Sequence, residues 1–325
     1  MSELLIGLLG VLLATNQVAA ATNLITKKTG VKLEVVDPNN PVEKEYQKIL
    51  EEDDAAQEEV DKWIQEKNAL ASQDADLANA TLSLRIDQRF RPVRKAYEDF
   101  LLRQPKHARA LLAYGSFLSD TGDEAAAKDQ WEKARGLDPT NPATWNNLAN
   151  YYGHRGPTTN AFAYYEKAIA LRTNEPVYYQ NFATTVFLFR KDAQEFYKIN
   201  EQQVFDRALE LYRQALKLDP NNFPLATDLA QTYYGIKPPR HDEALAAWNY
   251  ALKIASDDIE REGIYVHLAR LQIQSGRFAE ARTNLNLVAN PQYGALKQRL
   301  VRNLENKEAK PNEPGEAQAD AAKKP

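Results

Sequence analysis

The chain has 325 residues, 43% of them apolar and 26% charged, with a formal net charge of −4 and no cysteine. The apolar share is that of a soluble globular chain. The missing cysteines exclude disulfides, thiolate zinc sites and cysteine nucleophiles, and leave the redox compartment open. A small negative charge and an isoelectric point of about 5.8 argue against a nucleic-acid binder, which usually carries a basic patch.

Leu4 to Ala14 is continuously apolar, and Val18 to Ala21 follows after three polar residues. A run of about 10–14 apolar residues is short for a bilayer span and suits a signal-peptide core, an interfacial helix or a buried helix. Ala19 and Ala21 fit a small-residue cleavage site, whereas Glu3 and the lack of Lys or Arg ahead of the run count against export. Lys27 and Lys28 would hold the rest of the chain in the cytoplasm if the run spanned. Residues 4–21 therefore read as an anchor or uncleaved signal, a cleaved signal, or a helix packed on the protein. A tethered or exported chain is favoured over a purely cytoplasmic one. Residues 1–41 form this apolar segment and an extended linker, with turn chemistry in Asp37-Pro38-Asn39-Asn40-Pro41.

Pro41 or Val42 opens a predicted helix running to about Ala71. Its apolar stripe is Tyr46, Leu50, Val60 and Ile64, with Trp63 at the border. Glu51, Glu52, Asp53 and Asp54 interrupt it, an acidic block expected to be a solvated helix face. The sharper alternative is a docking site for a basic partner. Ser72 to Asn79 reads as a connector. Arg85 to Pro105 is a further helix whose Val93, Tyr97 and Phe100 match the spacing of a repeat's second helix. The matching first helix, within Leu77 to Phe90, is poor, so residues 42–106 are expected to hold a degenerate leading repeat.

From residue 107 a pattern recurs. Leu111, Tyr114, Gly115 and Leu118 lie at helical spacing, then Gly122, Ala127, Trp131, Ala134 and Pro139. The next unit has Trp145, Leu148, Ala149 and Tyr152, a turn at Gly156, then Ala161, Tyr165 and Ala168. Thr173 stands where a closing proline is expected. The third has Tyr179, Phe182, Ala183 and Val186, then Ala208, Tyr212, Ala215 and Pro220, with an insertion near 187–203. The fourth has Ala226, Leu229, Ala230 and Tyr233, then Ala244, Trp248 and Ala251. The fifth has Tyr265, Leu268, Ala269, Gly276, Ala281 and Leu285, with Gln272 at an aromatic position and Val288 at an alanine position. Small residues allow two helices to approach closely, and aromatics fill the gaps between units.

These units resemble tetratricopeptide repeats (TPR), the helix–turn–helix arrays with a period of about 34 residues. The resemblance implies an all-α solenoid over 107–292, a TPR superhelix with flanking N- and C-terminal helices. No repeat buries its apolar face alone, so stability comes from stacking on neighbours. Residues 293–309 read as a capping helix with Leu296, Leu300 and Leu304 inside. Residues 310–325, rich in Pro, Ala and charge, have the composition of a disordered tail.

Family members usually bind extended peptides or partner helices in the groove lined by first helices. In this chain the resemblance puts there Arg109 and Ser116; Asn146, Asn147 and Asn150; Gln180, Asn181 and Thr184; Thr227, Asp228 and Gln231; and His267 and Arg270. Carboxamides donate and accept at once, so they can pair with a peptide backbone whatever its side chains. The family's basic clamp for a C-terminal carboxylate is not expected, because the third repeat offers no Lys or Arg on its inner helix. Phe187, Phe189, Phe196 and Tyr197 make the insertion more aromatic than a solvated loop requires. They either pack locally or present an apolar patch to a partner.

The expected function is a non-enzymatic scaffold or adaptor for a protein or peptide. The alternative is a structural component of a membrane-associated or envelope assembly. His107, His154, His241 and His267 are scattered without metal-ligand spacing, and no Gly-rich phosphate loop follows a strand. No cofactor, metal or nucleic acid is expected. The sequence carries no signal for or against self-association.

Overall fold

The computed structural model describes residues 40–69 and 75–309. The apolar segment 4–21, most of the linker and the tail 310–325 lie outside the described residues. Within them are fourteen α-helices, two short 3-10 turns and no strand, and the fold is the expected all-α array of helix–turn–helix repeats. The chain divides between Leu137 and Asp138 into two compact units.

The first unit holds α1 (Pro41–Ala69), α2 (Ala75–Arg103), α3 (Ala108–Asp120) and α4 (Glu124–Leu137). Asn40 caps α1, its side chain accepting from Val42 N at 2.9 Å. Helices α1 and α2 run antiparallel: Arg103 pairs with Glu45, Tyr97 with Asp53, and Arg89 with Glu52 and Glu59. The buried face of α1 is Tyr46, Ile49, Ala56, Val60 and Trp63. This differs from the expected stripe, since Leu50 is half-buried and Ile64 exposed. The observed face follows a 3-4 spacing in which Asp53 takes a core-side place. Asp53 Oδ2 accepts from the buried Tyr97 hydroxyl at 2.7 Å, and Glu52 pairs with Arg89 at 2.7 Å. Asp53 is thus drawn to the core side, whereas Glu51, Glu52 and Asp54 stay exposed, so the rest of the acidic block is the solvated face expected.

Helix α2 is continuous from Ala75 to Arg103, with Pro92 inside it. The helix takes in positions 75–79 of the expected connector, and no break within it separates two helices of a leading repeat. Phe90, Val93, Tyr97 and Phe100 form the buried side of α2, which meets α3 through stacked Tyr97 and Tyr114 and edge-on Phe90 and Phe117. Helices α3 and α4 are the first repeat, closed by a turn at Gly122 with φ +87°, a conformation glycine adopts without a Cβ penalty.

The second unit holds α5 (Pro142–Arg155), α6 (Thr158–Leu171), α7 (Pro176–Leu188), α8 (Arg190–Tyr197), α9 (Glu201–Leu218), α10 (Phe223–Thr232), α11 (His241–Ile254), α12 (Asp258–Gln274), α13 (Phe278–Asn286) and α14 (Gly294–Ala309). Pairs α5–α6, α7–α9, α10–α11 and α12–α13 are the remaining repeats. Asn141 caps α5 by accepting from Ala143 N at 3.0 Å, with Pro142 at the first position. The expected framework is buried: Leu148, Ala149, Ala161, Tyr165 and Ala168, then Phe182, Ala183, Ala208, Tyr212 and Ala215, then Ala226, Ala230, Ala244, Trp248 and Ala251. Trp145 sits at the edge of that core, edge-on to Tyr164. Gln272, at its aromatic position, is buried but satisfied: it donates to Glu280 Oε2 at 3.3 Å and accepts from Asn284 Nδ2 at 2.8 Å. Leu300 and Leu304 of α14 close the last core cluster, and Leu296 packs half-buried against it.

The insertion folds as a separate helix, α8, between two repeat helices that keep their own ends. Lys198 ends it in the left-handed region at φ 56°. Asn200 and Gln203 then open α9 with a reciprocal capping box.

Candidate partner-binding face

Three first helices of the second unit stand side by side through their polar side chains. Asn181 Nδ2 on α7 donates to Asn146 Oδ1 on α5 at 3.2 Å. Gln180 Nε2 on α7 donates to Asp228 Oδ2 on α10 at 2.8 Å. Asn146 Nδ2 reaches Asn147 Oδ1 at 3.4 Å. Adjacent positions on one helix thus point to opposite neighbours, and one ladder crosses three repeats. The ladder consumes amide donors. It leaves Gln180 Oε1 and Asn181 Oδ1 without a side-chain partner among the described residues.

Beneath the ladder lies a second row. Tyr165, buried on α6, donates its hydroxyl to Asn150 Oδ1 at 2.5 Å and lies 3.2 Å from Thr185 Oγ1. Burial pushes its phenol up to about 12, so it remains a neutral donor. Thr184 is held by Tyr212 at 2.7 Å and by Gln180 O at 3.0 Å. Asn146 is itself buried. Of the residues expected in the groove, Asn146, Asn150 and Thr184 therefore work chiefly as framework. Gln180 and Asn181 are half-buried at the face, Asn147 is half-buried beside them, and Gln231 is exposed on α10. Thr227 bonds its own helix at Pro224 O.

Arg109 and Ser116 belong to α3 of the first unit. Arg109 is ion-paired with Glu43, lies over the Tyr46 ring, and accepts the Tyr46 hydroxyl at its carbonyl at 3.1 Å. It serves to fix α1 on α3. His107 shares Glu43 at 3.2 Å and caps α3 through Nδ1, which accepts from Ala110 N.

On α12, His267 stacks on Trp248 with ring centroids 4.0 Å apart and 6° between planes. Its Nδ1 meets the Tyr234 hydroxyl at 2.9 Å. Burial, then the nearby Arg270 charge, lowers its pKa to about 4. Arg270 is exposed, with its guanidinium over the Tyr234 ring at 5.3 Å. Tyr234 was not among the expected site residues. Its one sequence signal is a second tyrosine directly after the repeat's own Tyr233.

The insertion's aromatics turn largely inward. Phe187, Phe189 and Tyr197 join the core cluster of α6, α7 and α9. Tyr197 donates to Glu166 Oε1 at 2.9 Å and lies under the Arg207 guanidinium at 4.0 Å. Phe196 leans on Phe162 at 5.5 Å and remains 37% exposed. This supports local packing over a free apolar patch.

Neighbouring inner helices that offer polar groups on a rigid repeat framework define a helical-repeat scaffold for protein interaction. Residues 142–175 and 201–259 each match a family model described as tetratricopeptide repeat, so the chain carries tetratricopeptide repeats. A TPR repeat-containing protein of Methanocaldococcus jannaschii is 28% identical over 137 residues, 42% of this chain and 21% of that protein. The chain thus spans 21% of the length of that curated relative. Among solved structures, PilW, a type IV pilus biogenesis factor, aligns with a TM-score of 0.51 at 18% identity, over 71% of this chain and all of that one. The C-terminal part of a TPR repeat-containing protein from Cytophaga hutchinsonii gives 0.50 at 13% identity, over 78% and 97%. Likeness at these identities shows the fold. Among the described residues no helix is long and apolar enough to cross a membrane.

Proposed function

We propose that the protein is an adaptor that holds an extended peptide segment of a partner along α5, α7, α10 and α12. The observation that carries this reading is the ladder. Asn146–Asn181 and Gln180–Asp228 fix the amide groups in place and leave Gln180 Oε1 and Asn181 Oδ1 as acceptors for peptide N–H groups. Groups already held in position lose little freedom on binding, which favours affinity. Backbone pairing of this kind gives modest sequence selectivity.

The test is site-specific photocrosslinking. A photoreactive residue at Gln231 should capture a partner peptide, and the same residue at Lys217 on a second helix should not. Capture should fall when Gln180 and Asn181 are both replaced by alanine in a chain that retains its helicity. Equal capture at both positions, or capture unaffected by the double substitution, would overturn the reading. The apolar run of residues 4–21 favours a second, compatible reading in which the adaptor is tethered at a membrane. A reporter fused after Lys28 that fractionates as soluble and uncleaved would remove it.

A further inference from the structure

We infer that the α10–α12 end of this face is a receptor for a carboxylate, supplied by an acidic side chain of the bound peptide. The inference rests on the peptide-binding reading above. Arg270 and His267 lie three residues apart on α12 and therefore share one helix face. The Arg270 guanidinium is exposed, oriented over the Tyr234 ring, and has no carboxylate partner among the described residues. Other arginines of the second unit are ion-paired, among them Arg190 with Glu201, Arg207 with Glu166, Arg213 with Glu243, Arg240 with Asp206 and Arg277 with Asp242.

Tyr234 is tied to His267 Nδ1 at 2.9 Å. With the tyrosine hydroxyl donating to Nδ1, the imidazole carries its proton on Nε2 as a second donor. His267 is held flat against Trp248 at 4.0 Å, so its donor direction is fixed. The Arg270 charge bears on both His267 and Tyr234. An exposed guanidinium over the Tyr234 ring, without an ion-pair partner among the described residues, and an imidazole N–H beside it match a carboxylate, and the fork geometry of arginine suits bidentate pairing. This end of the face thus differs from α7, where the ladder leaves acceptors. A peptide would meet acceptors at its α7 end and donors at its α12 end.

Selection of a displayed random decapeptide library on the full chain tests this directly. Peptides whose binding competes with crosslinking at Gln231 should be enriched in Asp and Glu. Their affinity should fall about tenfold or more in R270Q and less in R270K, which keeps the charge and loses the fork. Added salt should weaken wild-type binding and leave R270Q binding nearly unchanged. Competing peptides without acidic excess, or with equal affinity for wild type and R270Q, would overturn the carboxylate receptor and leave the peptide-binding reading standing. Recovery of no peptide that competes at Gln231 would overturn both.

Discussion

Glycine at position 115 allows a test in which helix propensity and packing demand opposite signs. Gly115 lies on the buried side of α3. A Cβ added there would sit 2.4 Å from Trp131 Nε1, 2.5 Å from Cδ1 and 3.0 Å from Cε2. These are atoms of the ring body, and Trp131 is buried and donates Nε1 to Leu112 O at 3.2 Å. The ring cannot retreat without losing that bond, worth about 1 kcal/mol net. Overpacking adds about 1–3 kcal/mol. Alanine returns about 1 kcal/mol through helix propensity. Gly115→Ala is thus expected to destabilise the α3–α4 repeat by about 1–3 kcal/mol. Gly153 on α5 is the control: its added Cβ would meet Thr185 at 3.5 and 3.6 Å, ordinary contact. Gly153→Ala should stabilise by about 0.5–1 kcal/mol. Urea unfolding by circular dichroism measures both, and hydrogen exchange in peptides from α3 and α4 localises the first effect. The reasoning fails if the two substitutions shift stability in the same direction.

Two further predictions concern charge. The His267 pKa falls from its ordinary 6.5 to about 4, mainly through burial, so the unfolded chain takes up the proton first as pH drops. The stability contribution is therefore fully present above pH 6.5 and lost as pH falls towards 4. It amounts to about 3–4 kcal/mol, for about 2.5 pKa units at about 1.4 kcal/mol each. His267→Phe keeps the stacking and should flatten the stability–pH curve across that window; thermal melts with an unchanged acid slope would refute this. Asp53 is held above the ordinary carboxylate range chiefly by burial, with the Tyr97 and Gln57 hydrogen bonds opposing. A raised folded pKa means its contribution is lost as pH rises. Asp53→Asn, which still accepts from Tyr97, should be more stable than wild type at neutral pH and equal to it in acid. A neutral-pH melt below wild type would refute the assignment.

The repeats were legible because the same small and aromatic residues return at the same helical positions, and burial follows them from Leu111 to Leu285. The α1 stripe was misread for a physical reason. Tyr46, Ile49, Asp53, Ala56, Val60 and Trp63 keep a 3-4 spacing, but Asp53 breaks the apolar pattern, so Leu50 and Ile64 looked equally good. The Tyr97 hydroxyl across from Asp53, forty-four residues away, with Gln57 one turn on, makes a carboxylate tolerable there. A contact at that separation leaves no local signature. The continuity of α2 was hidden likewise, because polar residues before Arg85 resemble a connector and Pro92 resembles a boundary. Within the candidate face, helical spacing placed Asn146 and Asn150 together, yet could not show that both turn towards protein partners while Gln231 remains outside.

That division explains how a polar face can stay rigid. Tyr165 fills the core between α6 and α7, and the same residue reaches both Asn150 and Thr185. Thr185 shares its one hydroxyl proton between the Tyr165 oxygen at 3.2 Å and the carbonyl of Asn181 at 2.9 Å, the residue whose side-chain amide bridges to Asn146. The repeat core and the ladder are thus one bonded network, and buried networks whose members are satisfied hold a single arrangement. A framework aromatic that touches no partner therefore sets the positions of the amides that would. Loss of the Tyr165 hydroxyl alone would loosen Asn150 and Thr185 before it emptied any volume, so it should act on the face as much as on the core.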